Sequence, residues 1–274
     1  MSCRSLESER KEAMARADFR FHGELNYFLP PSQRQVSFTH CFKGRASIKD
    51  MIEALGVPHP EVDSIAVNGE AVDFSYIVQD GDRIEVYPIS ASTEVTPTIR
   101  VRPPALSIPR FVLDVHLGKL AASLRMLGFD TLYRNDYADE ELAEIAASQQ
   151  RILLTRDKGL LMRSLVSYGY YVRATDPERQ VVEVLRRFDL FSSLKPFVRC
   201  IRCNGLLEPV SKESIIDQLP QKTRLSINEF HRCGECGQIY WKGAHYERMQ
   251  QFVEGVLDSQ SLPQAIAFPH TSEF

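Results

Sequence analysis

Residues 111–129 read FVLDVHLGKLAASLRMLGF and residues 151–161 read RILLTRDKGLL, and these two stretches decide the fold of the second half of the chain. Each begins with a short apolar run typical of a buried strand and continues with apolar residues at helical spacing. The same alternation continues to residue 188, with strands predicted at 130–133 and 170–174 and helices at 139–149, 159–167 and 178–188. This order predicts a parallel α/β sheet in a three-layer domain.

Acidic residues follow the predicted strands. Asp114 ends the first strand, Asp157 follows the strand of residues 151–155, and Asp139 opens the helix after the second strand. Parallel strands end at one edge of the sheet, where α/β proteins bind their ligands. Carboxylates that meet there repel each other unless a cation lies between them, and oxygen ligands suit Mg²⁺ or Mn²⁺. We therefore predict a divalent-metal site at this edge.

Some of these acids have structural alternatives. Asp139 suits the first turn of a helix, and Asp136 and Glu140 lie close enough in sequence to take its place in the site. Asp176 precedes Pro177 and is predicted to cap the last helix of the domain.

Basic residues flank the predicted site. Arg156 and Lys158 surround Asp157 and are candidates for holding a phosphate backbone, although they can instead form ion pairs with this acid. Lys119 and Arg125 on the first predicted helix have the same two interpretations.

The first hundred residues predict a second, smaller domain. Ser47 is positioned to cap a helix with Asp50 in a capping box, and Asn68-Gly69 and Asp80-Gly81 are turn signals. Strands are predicted at 18–21, 35–41, 64–67 and 83–87. One helix against returning strands is a β-grasp arrangement.

These patterns divide the chain into five regions. They are a β-grasp domain at 17–90, a Pro-rich linker at 91–109, an α/β domain at 110–194, a ribbon at 195–250 and a tail with little pattern at 251–274.

Four of the six cysteines form two C-x-x-C pairs, which are Cys200 with Cys203 and Cys233 with Cys236. Four thiolates supplied from two tight turns are typical of a structural zinc ribbon, and a closed shell leaves no position for a catalytic water. The 29 intervening residues must contain further structure, such as a helix at 212–218. Redox chemistry or an iron–sulfur cluster is the alternative.

Cations and aromatic side chains surround these pairs, including Arg202, Trp241 and Lys242. Such residues suit contacts to phosphates and stacking on bases, so we expect the ribbon to contact nucleic acid. Tyr240 and Trp241 can instead form the small core of the ribbon.

The overall composition is that of a globular protein, with 43% hydrophobic and 25% charged residues and a net charge of −3. Residues 1–99 carry −5 and residues 100–274 carry +2, which is compatible with nucleic acid without indicating it. No apolar run reaches the length of a membrane span, and the polar start lacks the features of a signal peptide. We therefore expect a cytoplasmic protein without membrane contact.

The segments FVLDVHLGKLAASLRMLGFDTLYRND, DEELAEIA, ILLTRDKGLL, RCIRCNG and FHRCGECGQIYWKGAHYERM together resemble the Mut-seven carboxyl-terminal ribonuclease family. This resemblance implies a PIN-like nuclease domain with an attached zinc ribbon. It also implies an RNA substrate and a nuclease metal site formed by Asp114, Asp139 and Asp157.

The segment IAVNGEAVDFSYIVQDGDRIEVYP resembles ubiquitin-like proteins of the sulfur-carrier type. Those carriers act through a free carboxyl-terminal Gly-Gly, whereas this chain continues after Tyr87 into Pro88. A scaffold or a binding domain for a protein partner is a better interpretation than a carrier, and a passive appended fold is the alternative.

The leading hypothesis is a metal-dependent ribonuclease. The main alternative is a non-catalytic module that binds RNA or protein and whose acids are structural. Sulfur transfer, the third hypothesis, would need a persulfide on Cys41 or on a ribbon thiol.

Overall fold

The structure, a computed structural model, describes residues 14–91 and 99–261. Most of the expected leader, the middle of the linker and the end of the tail lie outside the described residues. The chain divides into two compact units. The first extends to His116 and also contains Arg134–Tyr171, and the second contains Leu117–Tyr133 and the chain from Val172 onward.

The amino-terminal part of the first unit is a mixed five-stranded sheet in the order β2-β1-β5-β3-β4. Its elements are β1 (Ala15–Phe21), β2 (Phe38–Phe42), α1 (Ile48–Ala54), β3 (Ser64–Val67), β4 (Glu70–Val72) and β5 (Arg83–Tyr87). Strands β1 and β5 are parallel, and the other pairs are antiparallel. The expected β-grasp fold is confirmed, with β4 as a strand that the sequence analysis did not predict.

The local signals of this domain act as the sequence predicts. Phe19 and Phe21 alternate inward from β1, and Ile48 and Ile52 of α1 are buried in the same core. The Ser47 hydroxyl accepts a hydrogen bond from the backbone amide three residues later at 3.2 Å, which confirms the helix cap.

The remaining α/β elements alternate along the chain. They are β6 (Phe111–Leu113), α2 (Gly118–Met126), β7 (Thr131–Leu132), α3 (Asp139–Ser148), β8 (Ile152–Thr155), α4 (Lys158–Leu161), β9 (Gly169–Tyr171) and α5 (Pro177–Arg187). In the first unit, β6, β8 and β9 pair in that order and are all parallel, as expected. The β6 residues are completely buried, which is typical of a parallel sheet.

Helix α4 has only four residues, whereas the sequence predicts a helix at 159–167. The apolar residues that suggest the longer helix, Leu161 and Val166, are both buried. Val166 lies in a turn after α4 and not in a helix. The apolar spacing that suggests a helix therefore reflects the burial of these residues.

The carboxyl-terminal part of the second unit contains an antiparallel sheet in the order β10-β11-β12. Its elements are β10 (Leu207–Val210), α6 (Lys212–Ile215), α7 (Gln221–Ser226), β11 (Phe230–Cys233), β12 (Ile239–Trp241) and α8 (Ala244–Asp258). The helical segment expected at 212–218 is present as α6 followed by a 3-10 turn at Ile216–Gln218, and α7 is an additional helix that the sequence analysis did not predict. Helix α8 continues past residue 251, where no pattern was expected, because Val253 and Val256 keep one of its faces buried.

Among the described residues, no helix combines the length and the apolar character that crossing a bilayer requires.

Candidate functional site

Asp114 lies at the carboxyl end of β6 and is only 4% exposed. Its Oδ1 accepts a hydrogen bond from the backbone amide of His116 at 2.8 Å, and its Oδ2 accepts one from the amide of Arg156 at 3.0 Å. The hydroxyl of Thr155 also donates to Oδ2. Three donors thus fix a buried carboxylate at the end of two neighbouring parallel strands.

Asp157 follows β8 and caps α4. Its Oδ1 accepts hydrogen bonds from the amides of Gly159 at 2.7 Å and Leu160 at 3.4 Å. The side chain is exposed, and its Oδ2 accepts no hydrogen bond from the described part of the chain. One oxygen of Asp157 therefore has a structural role, while the other remains available to a ligand.

Thr155 connects the two acids. Its Oγ1 accepts a hydrogen bond from the backbone amide of Asp157 at 2.9 Å while its own proton goes to Asp114. The sequence analysis missed this fully buried residue. The sequence signal for Thr155 was a hydroxyl residue that ends an otherwise aliphatic strand, two residues before Asp157.

Asp139 is the first residue of α3 and does not join these acids. Its Oδ2 lies 3.8 Å from Nη2 of Arg163, which also binds Glu140 at 2.8 Å. Asp136 forms two bonds of 2.9 Å with Arg134, and this interaction lowers the pKa of the Asp136 carboxyl. The acids considered as alternatives are therefore paired with arginines.

The described residues contain one group of three or more possible metal-binding side chains within 4.8 Å of one another, and that group is the four cysteines. The structure therefore does not bring Asp114, Asp139 and Asp157 together as a triad. A pair of carboxylates still fits Mg²⁺, because this ion usually keeps several waters and binds one or two protein carboxylates together with a phosphate.

The four thiols are close enough to bind a single ion. Sγ of Cys200 and Cys236 are 3.6 Å apart, and Sγ of Cys203 and Cys233 are 3.4 Å apart. A tetrahedral site with bonds of about 2.3 Å requires sulfur atoms roughly 3.8 Å apart, so the geometry fits a four-thiolate metal ion.

The two turns that carry the thiols have the backbone that the sequence predicts. Asn204 and Gly237 adopt φ values of 76° and 71°. A side chain at Gly205 would place Cβ 2.8 Å from Sγ of Cys233, so only glycine fits beside the thiols.

The electrostatics of the four thiols favour deprotonation of Cys200 before Cys203. Burial raises the pKa of Cys200, but hydrogen bonds from the Tyr240 hydroxyl and from backbone amides outweigh it and lower this pKa to about 7. Burial raises the pKa of Cys203 to about 12. Tyr240, which lies 3.1 Å from Sγ of Cys200, therefore supports the cluster from outside the ligand set.

The turn that carries Cys200 and Cys203 is called the first knuckle, and the turn that carries Cys233 and Cys236 the second. The first knuckle is attached to the rest of the second unit by a buried arginine. Arg125 on α2 is 5% exposed and donates to the carbonyls of Ile201 at 3.1 Å, Arg202 at 2.9 Å and Thr131 at 2.9 Å. The amide of Thr131 in turn donates to Oδ1 of Asn204 at 2.9 Å. The expectation that Arg125 holds RNA or forms a surface salt bridge is wrong, because its guanidinium is committed to these carbonyls.

The other predicted RNA-binding cations differ in their exposure. Lys119 on α2 and Lys158 at the start of α4 are exposed, and Arg156 is half-buried between Thr155 and Asp157.

In the ribbon, Arg202 is exposed and Lys242 forms an ion pair of 2.9 Å with Glu229. Trp241 is partly buried against a small cluster that contains Phe230. Trp241 therefore contributes to the ribbon core, which leaves its ring less available for stacking than the sequence analysis expected.

Comparisons with known proteins give two matches. A model described as Mut7-C RNAse domain matches residues 109–253, which is more than half of the chain. A model described as Mut7-C ubiquitin matches residues 14–94. No curated protein and no solved structure matches.

Proposed function

Because the chain belongs to the Mut7-C RNAse family, we propose that it is a ribonuclease that hydrolyses RNA phosphodiester bonds with Mg²⁺ or Mn²⁺ held at Asp114 and Asp157. The observation that carries this proposal is the link through Thr155, which fixes both acids at one edge of a parallel sheet. That edge is where such sheets bind their ligands.

Each residue of this edge has a distinct role in the proposal. Asp114 is preoriented by its three donors, and Asp157 offers the free Oδ2. A bound divalent ion would supply positive charge to the scissile phosphate and increase the acidity of a nearby water. Lys158, with Arg156, would hold the RNA backbone beside the acids. Asp139 remains a candidate third acid, but the proposal does not depend on it.

The ribbon has a structural role in this proposal. Zinc is the ion that we assign to the four thiols, because a closed tetrahedral sulfur shell is its usual structural site. Arg202, Lys242 and Lys119, all in the second unit, are further candidates for contacts to RNA. RNA is thus the expected partner. We expect the protein to act in the cytoplasm.

A non-catalytic binding module is the second candidate. It is favoured by one observation, which is that Asp157 caps a helix as Asp176 does, and Asp176 lies outside the proposed site. The acids of the proposed site would then only stabilise the fold.

The test is RNA cleavage by the full chain with and without Mg²⁺ or Mn²⁺. The variants are Asp114→Asn and Asp157→Asn, with Asp176→Asn as the matched control. Asparagine caps helices about as well as aspartate, so Asp157→Asn and Asp176→Asn remove charge and keep their helix caps. Asp114→Asn leaves at least one backbone amide without its acceptor, so urea unfolding of this variant shows whether it is folded under the assay conditions. We expect cleavage that needs the divalent ion, that falls at least about a hundredfold in the first two variants, and that is retained in the control.

RNA that stays intact under all conditions, with binding retained, would support the module instead. Equal activity of Asp157→Asn and Asp176→Asn would show that Asp157 is only a helix cap.

A further inference from the structure

Within the first unit, the segment of residues 58–63 from the β-grasp domain lies against β9. His59 lies between Oε1 of Glu53 at 2.6 Å and the carbonyl of Val166 at 2.9 Å. Glu61 accepts a hydrogen bond from the backbone amide of Tyr171 in β9, with 2.6 Å between Oε1 and N. His59 is 8% and Glu61 is 1% exposed, so both side chains are buried.

Apolar contacts surround these hydrogen bonds. The Tyr171 ring lies 5.6 Å from the ring of Tyr27 and 5.4 Å from the ring of Phe28, measured between centroids. A Cβ at Gly169 would lie 3.4 Å from Cβ of Pro60, which shows how closely the two backbones approach. Burial of aromatic rings beside satisfied polar groups is typical of a permanent contact.

The described end of the linker strengthens this contact. The amide of Val101 donates to the carbonyl of Asp63 at 2.9 Å, and Arg102 pairs with the carboxylate of the same residue. Tyr168 directly precedes β9, and its hydroxyl donates to the carbonyl of Pro104 at 3.0 Å. The described end of the linker thus contacts both the β-grasp domain and the α/β part.

This contact leads directly to the proposed site. Tyr171, whose amide Glu61 holds, pairs with Thr155 in the register of β8 and β9. Thr155 is the residue that binds both Asp114 and Asp157. In addition, a Cβ at Gly56, just after α1, would lie 3.9 Å from Nζ of Lys158.

We propose that the ubiquitin-like domain is a fixed clamp on the outer edge of β9 and that Glu61 is a positioning residue for the end of β8. The occupant of this strand edge is therefore the chain's own amino-terminal domain. Its function is to hold Thr155 in place, in contrast to a mobile domain that recruits or carries another molecule. The positioning role rests on the proposed nuclease function, whereas the clamp itself does not.

The first test replaces Glu61 in the full chain. Glu61→Ala removes the acceptor, Glu61→Gln keeps an oxygen that can accept, and Glu70→Ala on exposed β4 is the control. Because a hydrogen bond to a charged group is strong, we expect amide hydrogen exchange at Tyr171 to accelerate about tenfold or more in Glu61→Ala. The kcat for RNA cleavage should fall by about three- to tenfold while KM changes less than twofold. Glu61→Gln should restore most of both quantities.

Unchanged exchange at Tyr171 in Glu61→Ala would overturn the clamp. Faster exchange with unchanged kcat would overturn the positioning role alone. If the wild-type chain does not cleave RNA, the proposed function fails, and the exchange measurement still tests the clamp.

The second test does not require Glu61 to be replaced. Pro60→Cys combined with Gly169→Cys places two Cβ atoms 3.4 Å apart, close to the roughly 3.8 Å of a disulfide. The new Cβ at residue 169 also meets Cδ2 of Leu161 at 2.6 Å, so that side chain must shift, and Gly169→Cys alone is the control for this effect. In zinc-loaded protein, mild oxidation should join these residues, as detected by peptide mass spectrometry. The oxidised protein should keep at least half the cleavage rate of the same protein after reduction. Failure of the pair to join, or a loss of activity that reduction reverses, would show that the domain leaves β9.

Discussion

The hydroxyl of Thr155 donates a hydrogen bond to Oδ2 of Asp114, a carboxylate 41 residues earlier in the chain. The two residues end neighbouring parallel strands, and both are almost completely buried. A buried carboxylate is unfavourable unless donors surround it, and Thr155 supplies the only side-chain donor that we find for it among the described residues. The position of Asp114 therefore depends on a residue that is not itself acidic.

Replacing Thr155 by valine should remove this donor while preserving the shape of the side chain. We expect Thr155→Val to destabilise the protein by about 1–3 kcal/mol, because Asp114 loses a hydrogen bond in a buried position. RNA cleavage should fall at least about tenfold for the same reason. Urea unfolding and initial cleavage rates measure the two effects. Thr155→Ser keeps the hydroxyl and should retain most of the activity, and a fully active valine variant would contradict the role of this contact.

Removing metal from the four thiols should unfold the ribbon. In the metal-free protein nothing crosslinks the two knuckles, and the small cluster around Phe230 provides little core of its own. We expect one zinc per chain by elemental analysis, its loss in Cys233→Ser, and a loss of amide protection in β10, β11 and β12. Adding zinc back to chelated wild-type protein is the control. Protection that persists without metal would show that the ribbon is stable on its own.

Truncating Arg125 should weaken both the fold and the metal site. In Arg125→Met the carbonyls of Ile201, Arg202 and Thr131 lose their donor, which should cost about 2–4 kcal/mol. Since the first knuckle contains two of these carbonyls, zinc should also dissociate faster in a competition with a chelating dye. Lys119→Met, on the exposed face of the same helix, is the matched control and should change neither quantity.

Acidification should destabilise the β-grasp domain. Burial lowers the pKa of His40 below the ordinary value of 6.5, and burial also lowers the pKa of His22. The folded state therefore prefers the neutral rings, so this contribution to stability is complete above pH 6.5 and is lost as the pH falls through the lowered values. We expect the Tm to decrease between pH 7 and pH 5, and NMR titration of the rings to give midpoints below 6.5.

His40→Gln carries no titrating ring and should show a weaker pH dependence of Tm. A midpoint for His40 at or above 6.5 in the folded protein would contradict the assignment.

The local signals of the fold could be predicted because each acts within a few residues. The helix cap at Ser47 and the turns at Asn68-Gly69 and Asn204 require only their neighbours, and the structure has all three. The parallel direction of the strands followed in the same way from alternating strand and helix patterns, whereas their order in the sheet was not predicted. The four cysteines were predictable because two C-x-x-C turns have few other uses.

The site itself was harder to predict because its contacts join residues far apart in the chain. Arg125 looks like any cation on an amphipathic helix, and only the folded chain shows carbonyls converging on it from 76 and 77 residues away. Asp139 and Asp157 have the same sequence signature at a helix start, yet one pairs with an arginine and the other caps α4 beside Thr155. The contact between Glu61 and Tyr171, 110 residues apart, left no sequence signal that we can identify.

Asp63 has both of its backbone groups engaged, since its amide donates to the carbonyl of Tyr87 at 2.8 Å and its carbonyl accepts from Val101 at 2.9 Å. Only the second of these bonds crosses residues 92–98, and the hydrogen bonds of His59 and Glu61 to Val166 and Tyr171 cross the same stretch. A protease that cuts within that stretch would therefore produce two fragments that stay together through gel filtration without denaturant. An intact peptide chain through residues 92–98 is then not needed to keep the two fragments together, and the cleaved protein should retain its RNA-cleaving activity.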